Sequence, residues 1–299
     1  MPVRYRVVHR TEYQYAAEVS ASYSQLRMLP RDAPRQRCIS AGVVVDPRPD
    51  HQREHVDYFG NRVEHVAIQH RHRRLHLTTS SVVEVDEAAG ALPLLGDRSW
   101  EEVRDSVGVV PGPDAVAAVH FALDSALVRS GPDFAAYAQP SFTPGRSIVE
   151  AVCELTSRIH ADFEFAPGET KTDTTPEEAL KERHGVCQDF AHVGVACLRS
   201  LGLPARYVSG YMETDPPPGR EKLVGADVSH AWFSVLMPGA GWLDVDPTND
   251  QVVGGRYIVT AYGRDYQDIA PVSGVIYTRG YTKSLRVTVD VTALPAGAA

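Results

Sequence analysis

Hydrophobic and polar residues alternate in short runs through the first 85 or so residues. Tyr5-Arg6-Val7-Val8-His9 opens the pattern, and Gly42-Val43-Val44-Val45 continues it. Val63-Glu64-His65-Val66-Ala67-Ile68 follows the turn Asp57-Tyr58-Phe59-Gly60-Asn61, and Arg74-Leu75-His76-Leu77-Thr78-Thr79 and Ser81-Val82-Val83-Glu84-Val85 close the run. A period of two, bounded by Pro, Gly, Asn and Asp, is the signature of antiparallel strands. The pattern predicts an antiparallel β-sandwich domain over residues 1–88.

The period then changes. Residues 89–140 are rich in Gly, Pro, Asp and Ala, with short helical pieces such as Asp114-Ala115-Val116-Ala117-Ala118-Val119, and read as a linker with entry helices. Ile148, Val149, Val152, Leu155 and Ile159 recur at helical spacing and predict an amphipathic helix over 147–160. Thr175-Pro176-Glu177-Glu178 starts another, with Thr at the N-cap, Pro at N1 and acids in the first turn. The apolar helix after Cys187 stops at Leu201-Gly202-Leu203-Pro204. Strand patterns return at Arg206-Tyr207-Val208, Ala231-Trp232-Phe233-Ser234-Val235-Leu236 and Trp242-Leu243-Asp244-Val245-Asp246. Residues 141–292 therefore read as a second, α+β domain that includes C-terminal strands, with a tail over 293–299.

Composition narrows the function classes. A chain of 299 residues is long enough for two cores, and 43% hydrophobic with 23% charged residues is globular. A formal charge of −8 argues against general nucleic-acid binding. No run of about 18 apolar residues predicts a membrane span. Met1-Pro2-Val3-Arg4-Tyr5-Arg6 lacks the apolar stretch of a secretory signal, so a cytoplasmic protein is expected. Cys38, Cys153, Cys187 and Cys197 are too sparse for a disulfide scaffold and lack zinc-site spacing. No metal or other cofactor is expected. His70, His72 and His76 fall in a basic run without an acidic neighbour in sequence and read as a solvated basic face. The loop Asp215-Pro216-Pro217-Pro218-Gly219-Arg220 either borders a cleft or simply joins strands.

One thiol stands apart. His184-Gly185-Val186-Cys187-Gln188-Asp189 places Cys187 at a helix start, where unpaired N–H groups and the positive dipole end favour a thiolate and can hold an oxyanion. His230 and Asp246 flank a hairpin whose turn is Pro238-Gly239-Ala240-Gly241. Their even spacing puts both on one face, so a carboxylate can orient an imidazole that takes the thiol proton. Asp244 shares that face and competes with Asp246 within a register slip, while Asp189 and His192 compete less strongly from within the helix.

Gly185-Val186-Cys187-Gln188-Asp189-Phe190-Ala191-His192, Leu201-Gly202-Leu203-Pro204-Ala205-Arg206-Tyr207-Val208-Ser209-Gly210-Tyr211, His230-Ala231-Trp232 and Asp246-Pro247-Thr248-Asn249 together resemble the core of the transglutaminase-like superfamily. The first 85 residues resemble the β region that precedes this core in bacterial members. The resemblance implies a papain-like α+β core, thiol acyl chemistry through a thioester, and a Cys–His–Asp triad carried onto Cys187, His230 and Asp246. Peptide, protein or other amide substrates are implied, with hydrolysis preferred, amine transfer as the alternative and a non-catalytic binding module as a third reading.

Overall fold

The computed structural model describes residues 2–86, 98–109, 114–214, 227 and 229–295. The 215–220 loop, residues 89–97 and 110–113 of the linker stretch and the end of the tail lie outside the described residues. Alternation along the N-terminus is carried by one strand, β1 (Pro2–Leu26), whose alternate residues Tyr5, Val7, His9 and Thr11 are buried. The other strands of this region are β2 (Gln36–Asp46), β3 (His51–Val56), β4 (Arg62–Ile68) and β5 (His72–Asp86). They form a single antiparallel sheet in the order β2-β5-β1-β4-β3.

That sheet replaces the expected sandwich. Because β1 runs unbroken through 25 residues, it carries β5 along its first half and β4 along its second. The sheet curls until its far strands meet: Gln52 on β3 donates to the carbonyl of Val43 on β2 at 3.2 Å, and Arg62 on β4 reaches Cys38 Sγ at 3.3 Å. The curl encloses Tyr15, Val19, Leu26, Val45, Val66, Ile68, Leu75 and Leu77. Strand β3 escaped the sequence reading because every residue in it is exposed, so no alternation marks it.

The helices follow their caps. They are α1 (Trp100–Asp105), α2 (Asp114–Ala122), α3 (Pro132–Ala138), α4 (Ile148–Asp162), α5 (Pro176–Glu182) and α6 (Cys187–Ser200), with the short strands β6 (Glu164–Phe165) and β7 (His184–Gly185) between them. Thr175 and Glu178 cap α5 reciprocally. At the end of α6, Gly202 adopts φ +79, and the N–H groups of Leu203 and Gly202 return to Leu198 and Arg199, which ends the helix as its Gly predicts.

A second sheet, all antiparallel, follows in the order β11-β10-β9-β8-β12: β8 (Ala205–Met212), β9 (Ser229–Met237), β10 (Gly241–Asp246), β11 (Gln251–Val252) and β12 (Tyr257–Gly263). Phe233, Val235, Met237, Leu243 and Val245 pack on apolar residues of α4 and α6. After α7 (Tyr266–Ile269), the chain leaves this core. Strands β13 (Val272–Thr278) and β14 (Thr282–Leu294), grouped with the core in the sequence reading, pair with β1 and complete a seven-stranded N-terminal sheet. Short-range pattern cannot tell which sheet a C-terminal hairpin joins; the apolar face of Val289 and Val291 matches that of Tyr5 and Val7, against Tyr211 and Ile258 of the core.

The edge of the core sheet is sealed by side chains. Gln36 exchanges hydrogen bonds with the backbone of Val259 at 2.8 and 2.7 Å, and Asn61 does the same with Tyr262 at 2.8 Å each. These amides take the place of a neighbouring strand on β12, where a register irregularity interrupts pairing with β8.

Candidate active site

The start of α6 is built by close approach. Asp189 in the first turn accepts from the Val186 N–H at 2.8 Å and from the Thr170 hydroxyl at 2.8 Å. Gly185 is needed for space, not for an unusual φ: a Cβ there would lie 2.6 Å from Asp189 Oδ2. The N–H groups of Asp189 and Phe190 turn to Val186, whereas those of Cys187 and Gln188 have no intrahelical acceptor by helix geometry. Cys187 is half-buried against the cluster of Ala191, Tyr207, Ala231, Ala261 and Ile269. Gln188 is tied to the carbonyl of Thr172 at 3.1 Å. Phe165, paired with Gly185, is 52% exposed and brings a ring without a hydroxyl beside this turn.

His230 and Asp246 come together. The β9–β10 register runs from Gly241 opposite Met237 to Val245 opposite Phe233. One step further puts Asp246 beside Trp232, two residues from His230 on the same face, so the pair is diagonal and not directly opposite. His230 Nε2 lies 2.7 Å from Asp246 Oδ2, and Cys187 is near enough to the same imidazole to raise its proton affinity. With Nε2 on the carboxylate, Nδ1 is the nitrogen left for the thiol.

Asp246 is fully buried and satisfied by five donors. Oδ1 accepts from the N–H groups of Thr248 at 2.8 Å and Asn249 at 3.3 Å. Oδ2 accepts from His230, from Asn249 Nδ2 at 2.7 Å and from the Tyr257 hydroxyl at 2.6 Å. Burial alone would push this carboxyl up; His230, Asn249 and Tyr257 reverse the sign and hold it below the ordinary carboxylate value. Burial pulls His230 down, but its hydrogen bond to Asp246 and the nearby Cys187 thiol outweigh that and raise it to about 10.

The competitors are engaged elsewhere. Asp244 accepts from Ser234 and from Trp232 Nε1, and lies 3.9 Å from Arg206, whose guanidinium is stacked between Trp242 and Tyr262. Asp189 caps its own helix. His192 is buried, accepts from the Tyr266 N–H at 3.1 Å, and is pushed down to about 4 by burial. Asn249 and Tyr257 escaped assignment in the sequence reading. The Asp246-Pro247-Thr248-Asn249 turn signals the first, but nothing local signals Tyr257, which arrives from β12.

The basic run does not share one face. His72 is buried against Tyr15, while His70 pairs with Asp50 at 3.2 Å and His76 approaches Asp46 at 4.0 Å. The irregularity in the β1–β5 register between Gln14 and Val19 turns His72 inward. Among the described residues no group of three or more His, Cys, Asp or Glu is placed to hold a metal ion, and no helix is long and apolar enough to cross a membrane.

The model of the bacterial transglutaminase-like N-terminal region matches residues 5–84, and that of the transglutaminase-like superfamily core matches residues 135–247. The chain belongs to the transglutaminase-like superfamily. It is 42% identical over 294 residues to an uncharacterized protein of Mycobacterium tuberculosis, covering 96% of this chain and 92% of that one. Over 147 residues, 48% of this chain and 21% of the relative, it is 30% identical to a protein-glutamine gamma-glutamyltransferase of Pseudomonas aeruginosa. A crystal structure from Cytophaga hutchinsonii, provisionally described as a cysteine protease, superposes with a TM-score of 0.75 at 20% identity, covering 100% of this chain and 93% of that one. At that identity the likeness is one of fold.

Proposed function

We propose that this chain performs thiol-dependent acyl chemistry on peptide or amide bonds, as a cysteine hydrolase, with Cys187 as nucleophile, His230 as base and Asp246 as orienting acid. One observation supports the reading: a single buried imidazole bonded to a buried carboxylate, with a half-buried thiol at a helix start raising its proton affinity. In this mechanism His230 takes the thiol proton as sulfur attacks the carbonyl carbon, and the oxyanion meets the first N–H groups of α6. His230 then protonates the leaving amine, which departs from a thioester. Water attacks the thioester, giving its proton to His230, and the carboxylic acid leaves as the thiol re-forms.

Cys187→Ser should lower turnover of a labelled peptide or amide roughly a thousandfold or more, with the thermal midpoint within about 2 °C of native because the side chain is nearly isosteric. Full turnover by this variant would overturn the assignment. A second reading, with an amine in place of water, is favoured by the similarity to the gamma-glutamyltransferase. Incubation with a primary amine separates the two: a mass increase from amide formation supports transfer, and acid product alone supports hydrolysis.

A further inference from the structure

We propose that Asn249 and Tyr257 are positioning residues that hold the His230-facing oxygen of Asp246 in place; the inference rests on the acyl-chemistry reading above. Three donors from three different segments converge on that one oxygen, at 2.7 Å from His230, 2.7 Å from Asn249 and 2.6 Å from Tyr257. The other oxygen is pinned by the backbone of Thr248 and Asn249. Asp246 has no exposed surface, so these groups replace its water shell completely. Rotation of the carboxylate would break several bonds together. With the carboxylate fixed, Nε2 keeps its proton and Nδ1 is left as the ring's proton acceptor.

Each residue is itself committed to the role. The phenol oxygen of Tyr257 accepts from Gln251 Nε2, so its own proton is directed to Asp246. The Tyr257 ring stands edge-on to Trp232 at 5.3 Å. It also lines part of two cavities of about 540 and 390 Å³. The ring packs in a buried cluster with Val208, Trp232 and Tyr262, and the hydroxyl aims it at the carboxylate. Asn249 is exposed, whereas the carboxylate beneath it is not, so its amide closes the solvent side. Its Nδ2 also lies 3.5 Å from Met212 Sδ, which fixes the amide plane. The charged groups around the pair are accounted for: Asp244 is turned to Ser234, Trp232 and Arg206, and Asp250 accepts from Ser157 at 2.6 Å.

The test needs no substrate. Iodoacetamide alkylation of Cys187, mapped by peptide mass spectrometry from about pH 4 to about pH 9, is compared for the native chain, Tyr257→Phe, Asn249→Ala and His230→Gln, with thermal midpoints alongside. If the proposal holds, Tyr257→Phe and Asn249→Ala each move the low-pH limb of the profile upward and slow alkylation near neutral pH by roughly three- to tenfold, the range set by one hydrogen bond. His230→Gln shifts the profile further. A lowered midpoint with an unmoved profile in both variants would mean a purely structural role and overturn the proposal, while a shift by His230→Gln would leave the acyl-chemistry reading standing. An unmoved profile in His230→Gln would sink that reading and this one with it. Asn249, being exposed, gives a variant that tests the idea even where Tyr257→Phe fails to fold.

Discussion

Asp244 and Asp246 point to one face of the same strand, and their partners alone separate them. Asp246 is bonded to His230, Asn249 and Tyr257, while Asp244 is held by Ser234, Trp232 and Arg206. Asp246→Asn keeps the shape but turns an acceptor into a partial donor, which sets the imidazole in the wrong tautomer. It should cut kcat/KM by roughly a thousandfold or more. Asp244→Asn should leave kcat/KM within a few-fold and instead lower stability by about 1–3 kcal/mol, because Arg206 loses its charged partner. Parallel assays of turnover and urea midpoint check both. The reverse outcome would exchange their roles.

At the scale of elements, the contact between α6 and β9 sets where Cys187 can lie relative to His230. A Cβ on Gly194 would sit 2.4 Å from Phe233 Cε1, inside a ring that is fully buried. Alanine is the better helix former by about 1 kcal/mol, yet overpacking here should win. Gly194→Ala is expected to destabilise by about 1–3 kcal/mol and to reduce turnover by shifting α6 from the sheet. An urea midpoint at or above the native value would contradict it. Helices α5 and α6 were legible because their boundaries are local: Thr175 with Glu178, and Gly202 after Leu201, mark the ends in the sequence. The strands were less so. The interruption at Ser80 suggested two strands where β5 runs through, and exposed β3 left no pattern.

Across the whole molecule, the N-terminal sheet and the core meet through buried polar groups as well as apolar ones. His9 is 2% exposed, with Nδ1 2.9 Å from the Tyr211 hydroxyl, which itself donates to the carbonyl of Met28. His9 and His192 are each pushed down to about 4 by burial. Their unfolded value is near 6.5, so the unfolded chain binds protons that the native chain does not. Stability therefore falls as pH drops from about 6.5 to about 4, by on the order of 3 kcal/mol per histidine at the acid end. Asp246 adds to the loss only below the ordinary carboxylate range, since its folded value is depressed. Urea midpoints at pH values spanning this window should show the decline, and His9→Gln should flatten part of it. A native chain equally stable across the window would refute the linkage.

By itself the sequence determined what neighbouring residues can settle: where α5 starts, where α6 starts and stops, that Cys187 opens α6, and that Asp246-Pro247-Thr248-Asn249 makes a turn. Caps, glycine stops and Asx turns involve residues a few positions apart, so their energetics are written locally. Tertiary structure decided everything that depends on distant pairing. It curled one sheet where alternation suggested two, sent β13 and β14 back to β1, and sealed β12 with Gln36 and Asn61. It also chose Asp246 over Asp244 as the partner of His230 and brought Tyr257 to that carboxylate. A two-residue period shows which side chains share a face, but only the packing of whole sheets sets the register and the neighbour.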